Sequence, residues 1–210
     1  MENHFVILAR APRIAAVKTR LAREEGDLGA LQFYRRTCAA VFRRVAPDAR
    51  WRAWIAVTPD EAANQPGLWP PAYTTFAQGP GDLGRRLAHI LASLSPGPVV
   101  IVGSDIPDIA SGHITKAFHR LGAADFVFGP AEDGGYWLIG CRRRIAPSFA
   151  AARALFAGVR WSTEHALNDT LANIPRYCSL AFLEPLRDID TAADLAAWKK
   201  RREAIRRFCG

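Results

Sequence analysis

The chain has 210 residues, half of them apolar, and a formal net charge of +8. A chain of this length and apolar content can bury a sizeable core and most simply forms one domain over residues 1–210, which excludes an intrinsically disordered protein. Its first apolar run, Phe5 to Ala9, is too short for a signal peptide or a membrane span. We therefore expect a cytoplasmic protein without a membrane span.

The cysteines predict neither a zinc site nor a disulfide framework, because they are scattered and form no C-x-x-C pair. We expect mostly buried thiols at these positions, which are Cys38, Cys141, Cys178 and Cys209.

Much of the excess positive charge lies near the end of the chain, at Lys199, Lys200, Arg201, Arg202, Arg206 and Arg207. We interpret this segment as the solvated face of a basic C-terminal helix at about 191–208, with cations near its C-terminus. Binding to nucleic acid or to an anionic membrane is the alternative. No zinc finger, aromatic RNA-binding signature or amphipathic anchor supports it, so no nucleic-acid partner is expected.

A basic loop follows the first predicted strand, which spans residues 4–9. The loop, residues 10–20, contains Arg10, Arg13, Lys18 and Arg20 and no acid. Because it leaves the carboxyl end of a strand, it is placed where an open α/β sheet binds an anion. It has no glycine, so side-chain cations would hold phosphates more than backbone amides. A solvated basic loop is the alternative.

Helical spacing of apolar residues then predicts a long helix over Leu28 to Val45, followed by strands at 51–57 and 74–77 with an irregular connection at 65–72. Gly79 to Gly84 formally matches the dinucleotide fingerprint G-x-G-x-x-G. The preceding strand is weak and the match does not open the first βαβ unit, so we do not assign a dinucleotide site. A helix over 83–94 follows, with Arg85 and Arg86 in its first turn available to a ligand.

Two acids stand at neighbouring strand ends, and the first is Asp105. The uninterrupted run Val99 to Val102 is typical of a strand that is buried on both faces of a parallel sheet. Asp105 follows its carboxyl end on a turn that Pro107 stiffens. A carboxylate held there suits a hard divalent cation that also binds phosphate oxygens.

The second acid is Asp133, which follows a strand at 126–128. Gly134 and Gly135 come next and allow a sharp turn or a close approach to a ligand. The alternative for both acids is that they are simple turn formers. Two acids at neighbouring strand ends favour a site instead.

The last third of the chain is predicted to continue the alternation of strands and helices. We expect a strand at 136–141, a solvated turn at Arg142 to Arg144, a helical stretch near 149–156, and a helix that starts at Trp161 with Ser162 or Thr163 as its N-cap. A last strand is predicted at 177–183.

The terminal helix follows, and Thr191 and Asp194 have capping-box spacing. Asp188 and Asp190 precede it on an extended segment. We expect them to lie on opposite sides of that backbone, so that only one of them enters the crevice with Asp105.

The alternation predicts an α/β fold with a mostly parallel sheet covered on both faces. Several motifs then resemble the bacterial radical-SAM and selenodomain-associated transferases, a glycosyltransferase-like family. These motifs, in chain order, are Ala9-Arg-Ala-Pro, Val17-Lys-Thr-Arg-Leu, Gly81-Asp-Leu-Gly-Arg-Arg-Leu, Gly103-Ser-Asp-Ile-Pro, Gly129-Pro-Ala-Glu-Asp-Gly-Gly-Tyr, Trp161-Ser-Thr and Asp188-Ile-Asp-Thr. The resemblance implies a three-layer αβα sandwich of the GT-A, or nucleotide-diphospho-sugar transferase, type. This fold is also similar to that of the phospholactate and molybdenum cofactor guanylyltransferases.

The resemblance also implies roles for individual residues. Asp105 and Asp190 would bind a divalent metal, Mg or Mn. Phosphate and nucleotide would contact Arg10, Lys18, Arg20, Ser104, Gly81, Asp82 and Gly84. The acceptor side would comprise Asp133, Gly134, Gly135, Tyr136, Trp161, Ser162 and Thr163. The family usually has lysine in place of Arg10, and glycine where this chain has Ala15 or Ala16.

We therefore expect a metal-dependent transferase that moves a sugar from a nucleoside diphosphate to a small acceptor, with Lys18 and Asp133 as catalytic residues. Asp133 would activate the acceptor hydroxyl. One alternative is a nucleotidyltransferase that uses a nucleoside triphosphate with the same metal and loop. Another is a nucleotide-binding module without turnover.

Overall fold

The computed structural model describes residues 1–45, 48–142, 144 and 148–209, with residues 205–209 described by their backbone alone. The strands are β1 (His4–Arg10), β2 (Arg52–Thr58), β3 (Thr74–Ala77), β4 (Pro98–Gly103), β5 (Phe126–Pro130), β6 (Tyr136–Arg142) and β7 (Leu180–Phe182). The α-helices are α1 (Thr19–Arg44), α2 (Leu83–Ser93), α3 (Ser111–Leu121), α4 (Phe149–Ala154), α5 (Ala166–Ala172) and α6 (Ala192–Cys209). A short 3₁₀ helix covers Asp60–Asn64.

One mixed sheet contains all seven strands, in the order β3-β2-β1-β4-β6-β5-β7. Strand β6 runs antiparallel to β4 and β5, and the other pairs are parallel. Strands β2 and β3 lie on one side of β1, and β4, the next strand in the chain, lies on the other side of β1. This reversal between β1 and β4 is the switch point at which open α/β sheets form their ligand crevice.

Helices cover both faces of the sheet, which confirms the predicted α/β class. On one face, Phe5 and Ile7 of β1 pack in a cluster with residues of α1 and α3. On the other, Val6 of β1 packs in a cluster with residues of α2 and α4. The alternation of β1 side chains between these clusters is what a strand buried on both faces requires. Helix α6 is anchored through Leu195 in a third, smaller cluster with residues of α1.

The basic loop is shorter than expected, because α1 already begins at Thr19. Gly26 interrupts this helix with φ 73° and ψ 158°. The apolar spacing therefore becomes regular only after the interruption, which is why the sequence predicts a start near Leu28.

Two other boundaries differ from the prediction. Trp161 does not open a helix, since α5 begins at Ala166 with His165 at its N-cap position. The last strand is limited to the three residues of β7.

The predicted solvated turn after β6 is wrong for Arg142, which is the last residue of β6 and donates from Nε to the Leu121 carbonyl at 2.6 Å. Arg144 pairs with Asp125 at 2.8 Å. Arg143 lies outside the described residues.

The terminal helix is confirmed, and so is its capping box. Asp194 Oδ2 accepts from the Thr191 amide at 3.0 Å, and the Asp194 amide donates to Thr191 Oγ1 at 3.2 Å. Lys199, Lys200 and Arg201 are exposed, as expected for a solvated face. The side chains of Arg206, Arg207 and Cys209 are outside the described part of the chain.

Cys38 and Cys141 are buried and Cys178 is half-buried, and all three are free thiols. Among the described residues, no helix combines the length and the apolar character that crossing a bilayer requires.

Candidate active site

A cavity of about 760 Å³ opens at the carboxyl ends of β1 and β4. Its volume lies in the range of small-molecule and cofactor sites. Four cations line it, Arg10, Lys18, Arg20 and Arg86. Five acids line it as well, Asp82, Asp105, Asp133, Asp188 and Asp190. The cavity therefore brings together most of the charged residues that the sequence singles out.

Lys18 lies at the centre of this charge arrangement. Its Nζ donates to Asp105 Oδ2 at 2.8 Å and to Asp190 Oδ1 at 2.6 Å. The lysine side chain is only 5% exposed, while the two carboxylates are about one third exposed. Arg20 approaches Asp190 from outside, at 3.9 Å. Residues far apart in the chain thus converge on one buried positive charge.

The ionisation of these groups follows from their mutual attraction. Burial lowers the pKa of Lys18, but the charges of Asp105 and Asp190 raise it more, so that this pKa lies well above its ordinary value. Burial raises the pKa of Asp105, and the Lys18 ammonium overcomes that effect and holds it below its usual range. The ammonium and the Asp105 carboxylate therefore both carry charge at neutral pH.

The donor set at this point fits a hard divalent cation. The Asp105 and Asp190 carboxylates already converge on a single cationic atom, the Lys18 Nζ. In the part of the chain that the structure describes, no group of three or more His, Cys, Asp and Glu residues could enclose a metal. A cation here would complete its shell with water and ligand oxygens, as Mg²⁺ does when one or two carboxylates and substrate phosphates bind it.

Tyr34 holds the start of the β1–α1 loop through hydrogen bonds to the backbone of Arg10. The Tyr34 hydroxyl accepts from the Arg10 amide at 2.9 Å, donates to the Arg10 carbonyl at 3.0 Å and lies 3.1 Å from Ser104 Oγ. One phenol therefore ties the end of β1 to the end of β4. The sequence provides no signal for this role, because Tyr34 reads as an ordinary core position of α1.

Two residues of this loop have left-handed backbones. Ala15 has φ 57°, and Lys18 has φ 49° at the N-cap position of α1. The resembled family has a glycine where this chain has Ala15 or Ala16. Ala15 thus adopts the conformation that glycine would take freely, at a steric cost on the order of 1–2 kcal/mol.

The start of α2 forms another wall of the cavity. Gly81 has φ 108°, and Asp82 caps α2 by accepting from the Arg85 amide at 2.8 Å. Arg86 donates from Nε to the Gly81 carbonyl at 2.9 Å. Of the two arginines in this turn, Arg86 lines the cavity, whereas the aliphatic part of Arg85 packs beside Gly81.

Gly84 does not line the cavity. A Cβ at this position would lie 2.8 Å from Phe156 Cβ and 3.1 Å from the Trp161 ring. The glycine thus permits close packing of α2 against the segment around Trp161. The ligand contact that the resemblance implies for Gly84 stays a prediction.

Asp133 and Asp188 both line the cavity. Strand β6 separates β5 from β4, so Asp133 and Asp105 do not stand at neighbouring strand ends as expected. A parallel bridge joins residues 131 and 186, and Glu132 forms an ion pair with Arg187. These contacts bring the turn that carries Asp133 near the segment that carries Asp188, and the charge of Asp133 acts on Asp188.

Asp188 therefore enters the crevice together with Asp190, contrary to our prediction. Residues two apart on an extended backbone lie on the same side, and the intervening Ile189 is fully buried against Leu21. Burial raises the pKa of Asp188 to about 6, and the charges of Asp190, Asp133 and Asp105 add to this effect. The correct alternation would have identified Asp188 from sequence.

Most of the other residues that the resemblance assigns to the acceptor side line the cavity, and one packs behind it. Gly135, Tyr136, Trp161, Ser162 and Thr163 line the cavity. Gly134 packs against the backbone of Glu164, and a Cβ at this position would clash with the Glu164 carbonyl oxygen. Asp133 also forms the turn that the alternative interpretation expects, since its Oδ1 accepts from the Gly135 amide at 2.9 Å.

The sequence matches a bacterial protein family. A family model described as "Uncharacterized protein conserved in bacteria (DUF2064)" matches residues 41–163, more than half of the chain. The chain belongs to this family. The matched region of this DUF2064 protein includes Asp105, Asp133 and the wall formed by α2. None of the curated protein sequences matches the chain.

Solved structures share the fold. A protein from Desulfovibrio desulfuricans G20, described as a candidate nucleotide-diphospho-sugar transferase, is 29% identical with a TM-score of 0.81, over 93% of this chain and 85% of that one. Rv0371c from Mycobacterium tuberculosis H37Rv in complex with manganese is 15% identical with a TM-score of 0.57, over 94% and 97%. CMP:2-keto-3-deoxy-manno-octonic acid synthetase with CTP is 12% identical with a TM-score of 0.58, over 97% and 99%. The DUF2064 protein thus has the fold of nucleotide-dependent transferases.

The Tyr34 hydroxyl is expected to stabilise the site through the Arg10 amide. Tyr34→Phe leaves this part-buried donor without its acceptor and should lower the free energy of unfolding by about 0.5–1.5 kcal/mol. Chemical denaturation of the variant measures this loss. Tyr177→Phe is the matched control, because Tyr177 is 83% exposed, and it should unfold as the wild type does. Equal stability of all three proteins would contradict the role of Tyr34.

Proposed function

We propose that this DUF2064 protein is a metal-dependent transferase that binds a nucleoside diphosphate sugar and transfers the sugar to a small acceptor. The observation that carries the proposal is the convergence of Asp105 and Asp190 on a single cation position, beside a basic loop at the sheet's switch point. The similarity to the candidate nucleotide-diphospho-sugar transferase from Desulfovibrio desulfuricans supports the class of donor.

The diphosphate is assigned to the side of the cavity formed by β1, the β1–α1 loop and α2. The lining cations Arg10, Lys18 and Arg86 come from these elements, and Arg20 comes from the first turn of α1 beside them. Guanidinium groups match phosphate oxygens with paired donors. When the sugar departs, charge develops on the diphosphate, and fixed cations that face this charge stabilise the transition state.

Asp105 and Asp190 are the residues that would hold the metal, Mg or Mn. A bound divalent cation supplies Lewis-acid stabilisation of phosphate oxygens. The manganese complex of Rv0371c, a protein of the same fold, supports a divalent cation as the cofactor. Of this chain's own groups, the carboxylates orient the cation, and the loop cations contact the phosphates.

The acceptor is assigned to the opposite end, beside Asp133 and Asp188. The four lining cations come from β1, the β1–α1 loop, the first turn of α1 and α2, whereas Asp133 and Asp188 follow β5 and β7. An acceptor with a phosphate or carboxylate would meet two carboxylates there, which costs energy. We therefore infer an acceptor that is neutral or positively charged. Asp133 accepts the proton of its attacking hydroxyl in this proposal.

A nucleotidyltransferase is the second candidate, and the number of cations favours it. The four lining cations would suit the larger negative charge of a triphosphate. In that reaction the acceptor oxygen attacks the α-phosphorus, and the bond between the α and β phosphates breaks. The same metal carboxylates and the same loop would serve.

Metal-dependent nucleotide binding is the first test. Thermal stability is measured with nucleoside triphosphates, diphosphates and diphosphate sugars, each with and without Mn²⁺. A ligand at one hundred times its dissociation constant should stabilise the wild type by about 2.7 kcal/mol. Asp105→Asn should abolish the metal-dependent part. Asp27→Asn, on an exposed position of α1, is the control and should behave as the wild type. If no nucleotide stabilises the wild type, both enzyme candidates are wrong.

The products distinguish the two candidates. Sugar transfer breaks the bond between the sugar's anomeric carbon and the β-phosphate oxygen, and it releases a nucleoside diphosphate. Nucleotidyl transfer releases inorganic pyrophosphate. Phosphorus NMR of reactions with the stabilising nucleotide and a panel of neutral and amino alcohols should show nucleoside diphosphate. Pyrophosphate from a triphosphate would instead establish the second candidate.

The role of Asp133 predicts a separation between turnover and donor binding. Asp133→Asn removes the proton acceptor but leaves the phosphate side intact, so turnover should fall by roughly 10²–10⁴-fold. Donor affinity, measured by calorimetry, should stay near that of the wild type. A parallel loss of turnover and donor affinity would refute this role.

A further inference from the structure

The Lys18 ammonium occupies the position to which the metal is assigned. It lies 2.8 Å from Asp105 Oδ2 and 2.6 Å from Asp190 Oδ1, and its side chain is almost fully buried. A divalent cation held by the same oxygens needs distances near 2.0–2.1 Å for Mg²⁺ and repels an ammonium placed between them. The lysine and the metal therefore exclude each other.

We propose that Lys18 is an internal counter-ion that closes the metal site of the free protein and leaves it when metal and phosphate arrive together. This inference rests on the proposed function, because it concerns the same metal site. It adds an order of binding: the metal enters with the phosphates of the nucleotide and not before them. The phosphates are needed because they accept the displaced ammonium.

The position of Lys18 in the chain permits this exchange. The residue joins the β1–α1 loop to α1, has a left-handed backbone and forms no side-chain cap of the helix. Its flexible four-carbon stem can swing the ammonium away from the carboxylates without moving β4. The cations Arg10 and Arg20 line the same cavity, so a displaced Lys18 joins the group of cations that faces the phosphates.

The two carboxylates explain why a counter-ion is needed in the free protein. Asp105 lies at the end of β4 and Asp190 ahead of α6, and the fold holds both at one point. Without a cation between them they would repel each other. Lys18 neutralises this repulsion until a metal replaces it, so the site stays assembled in both states.

Manganese binding without nucleotide tests the exchange, with free Mn²⁺ measured by electron paramagnetic resonance. Lys18→Met keeps the length of the side chain and removes its charge. In the wild type, only the molecules in which Lys18 has left the two carboxylates can bind Mn²⁺, so the apparent affinity is reduced by that fraction. In the variant every molecule is open, and it should bind Mn²⁺ at least about tenfold more tightly than the wild type. Lys116→Met is the control, since Lys116 is exposed and pairs with Glu184. It should match the wild type. Equal or weaker Mn²⁺ binding by folded Lys18→Met would overturn the proposal.

A measurement on the wild type covers the case in which Lys18→Met fails to fold. The chain has four lysines, so the side-chain ammonium signal of Lys18 can be followed in protein labelled with nitrogen-15 lysine. The probes are Mg²⁺ alone, inorganic pyrophosphate alone, and both together. The Lys18 signal should shift substantially only with both. If Mg²⁺ and pyrophosphate together stabilise the protein but the Lys18 signal does not change, the exchange is overturned and the proposed function stands. If nucleotides give the wild type no metal-dependent stabilisation, the proposed function itself is overturned.

Discussion

The ionic contact of Lys18 with Asp105 and Asp190 is the interaction on which the rest of the site depends. Its three members come from the start of α1, the end of β4 and the segment before α6, so the contact exists only in the folded chain. Burial of a lysine is tolerated only because both carboxylates satisfy it. The β1–α1 loop, the Tyr34 hydroxyl and the cluster around Ile189 all serve to hold these groups together.

The strand order of the sheet places the lining cations and the pair Asp133 and Asp188 on different sides of Asp105. The reversal between β1 and β4 places the basic loop and α2 on one side of Asp105. The pairing of β5 with β7 places Asp133 and Asp188 on the other side. The proposed function assigns a phosphate-bearing donor to the first side and an uncharged or cationic acceptor to the second. This separation follows from strand order and register, and no single motif encodes it.

Much of the fold and part of the site could be predicted from the sequence. The β-branched run before Asp105 identifies β4, and the turn at Pro107 places the carboxylate at the sheet edge. The contact between Lys18 and the two aspartates could not be predicted from spacing, because it joins positions that the sheet brings together from distant parts of the chain. Asp188 enters the cavity because residues two apart on an extended segment lie on the same side, contrary to the predicted alternation. At Gly84, the sequence does not distinguish a glycine that admits a neighbouring ring from one that admits a ligand.

The most direct measurement is anomalous diffraction from crystals grown with Mn²⁺ and the nucleotide that stabilises the protein most. The account predicts one strong manganese peak between the Asp105 and Asp190 carboxylates, with phosphate oxygens completing its shell and the Lys18 ammonium moved onto the phosphates. A nucleotide bound in the cavity with no manganese at these carboxylates, or with Lys18 still between them, would contradict it.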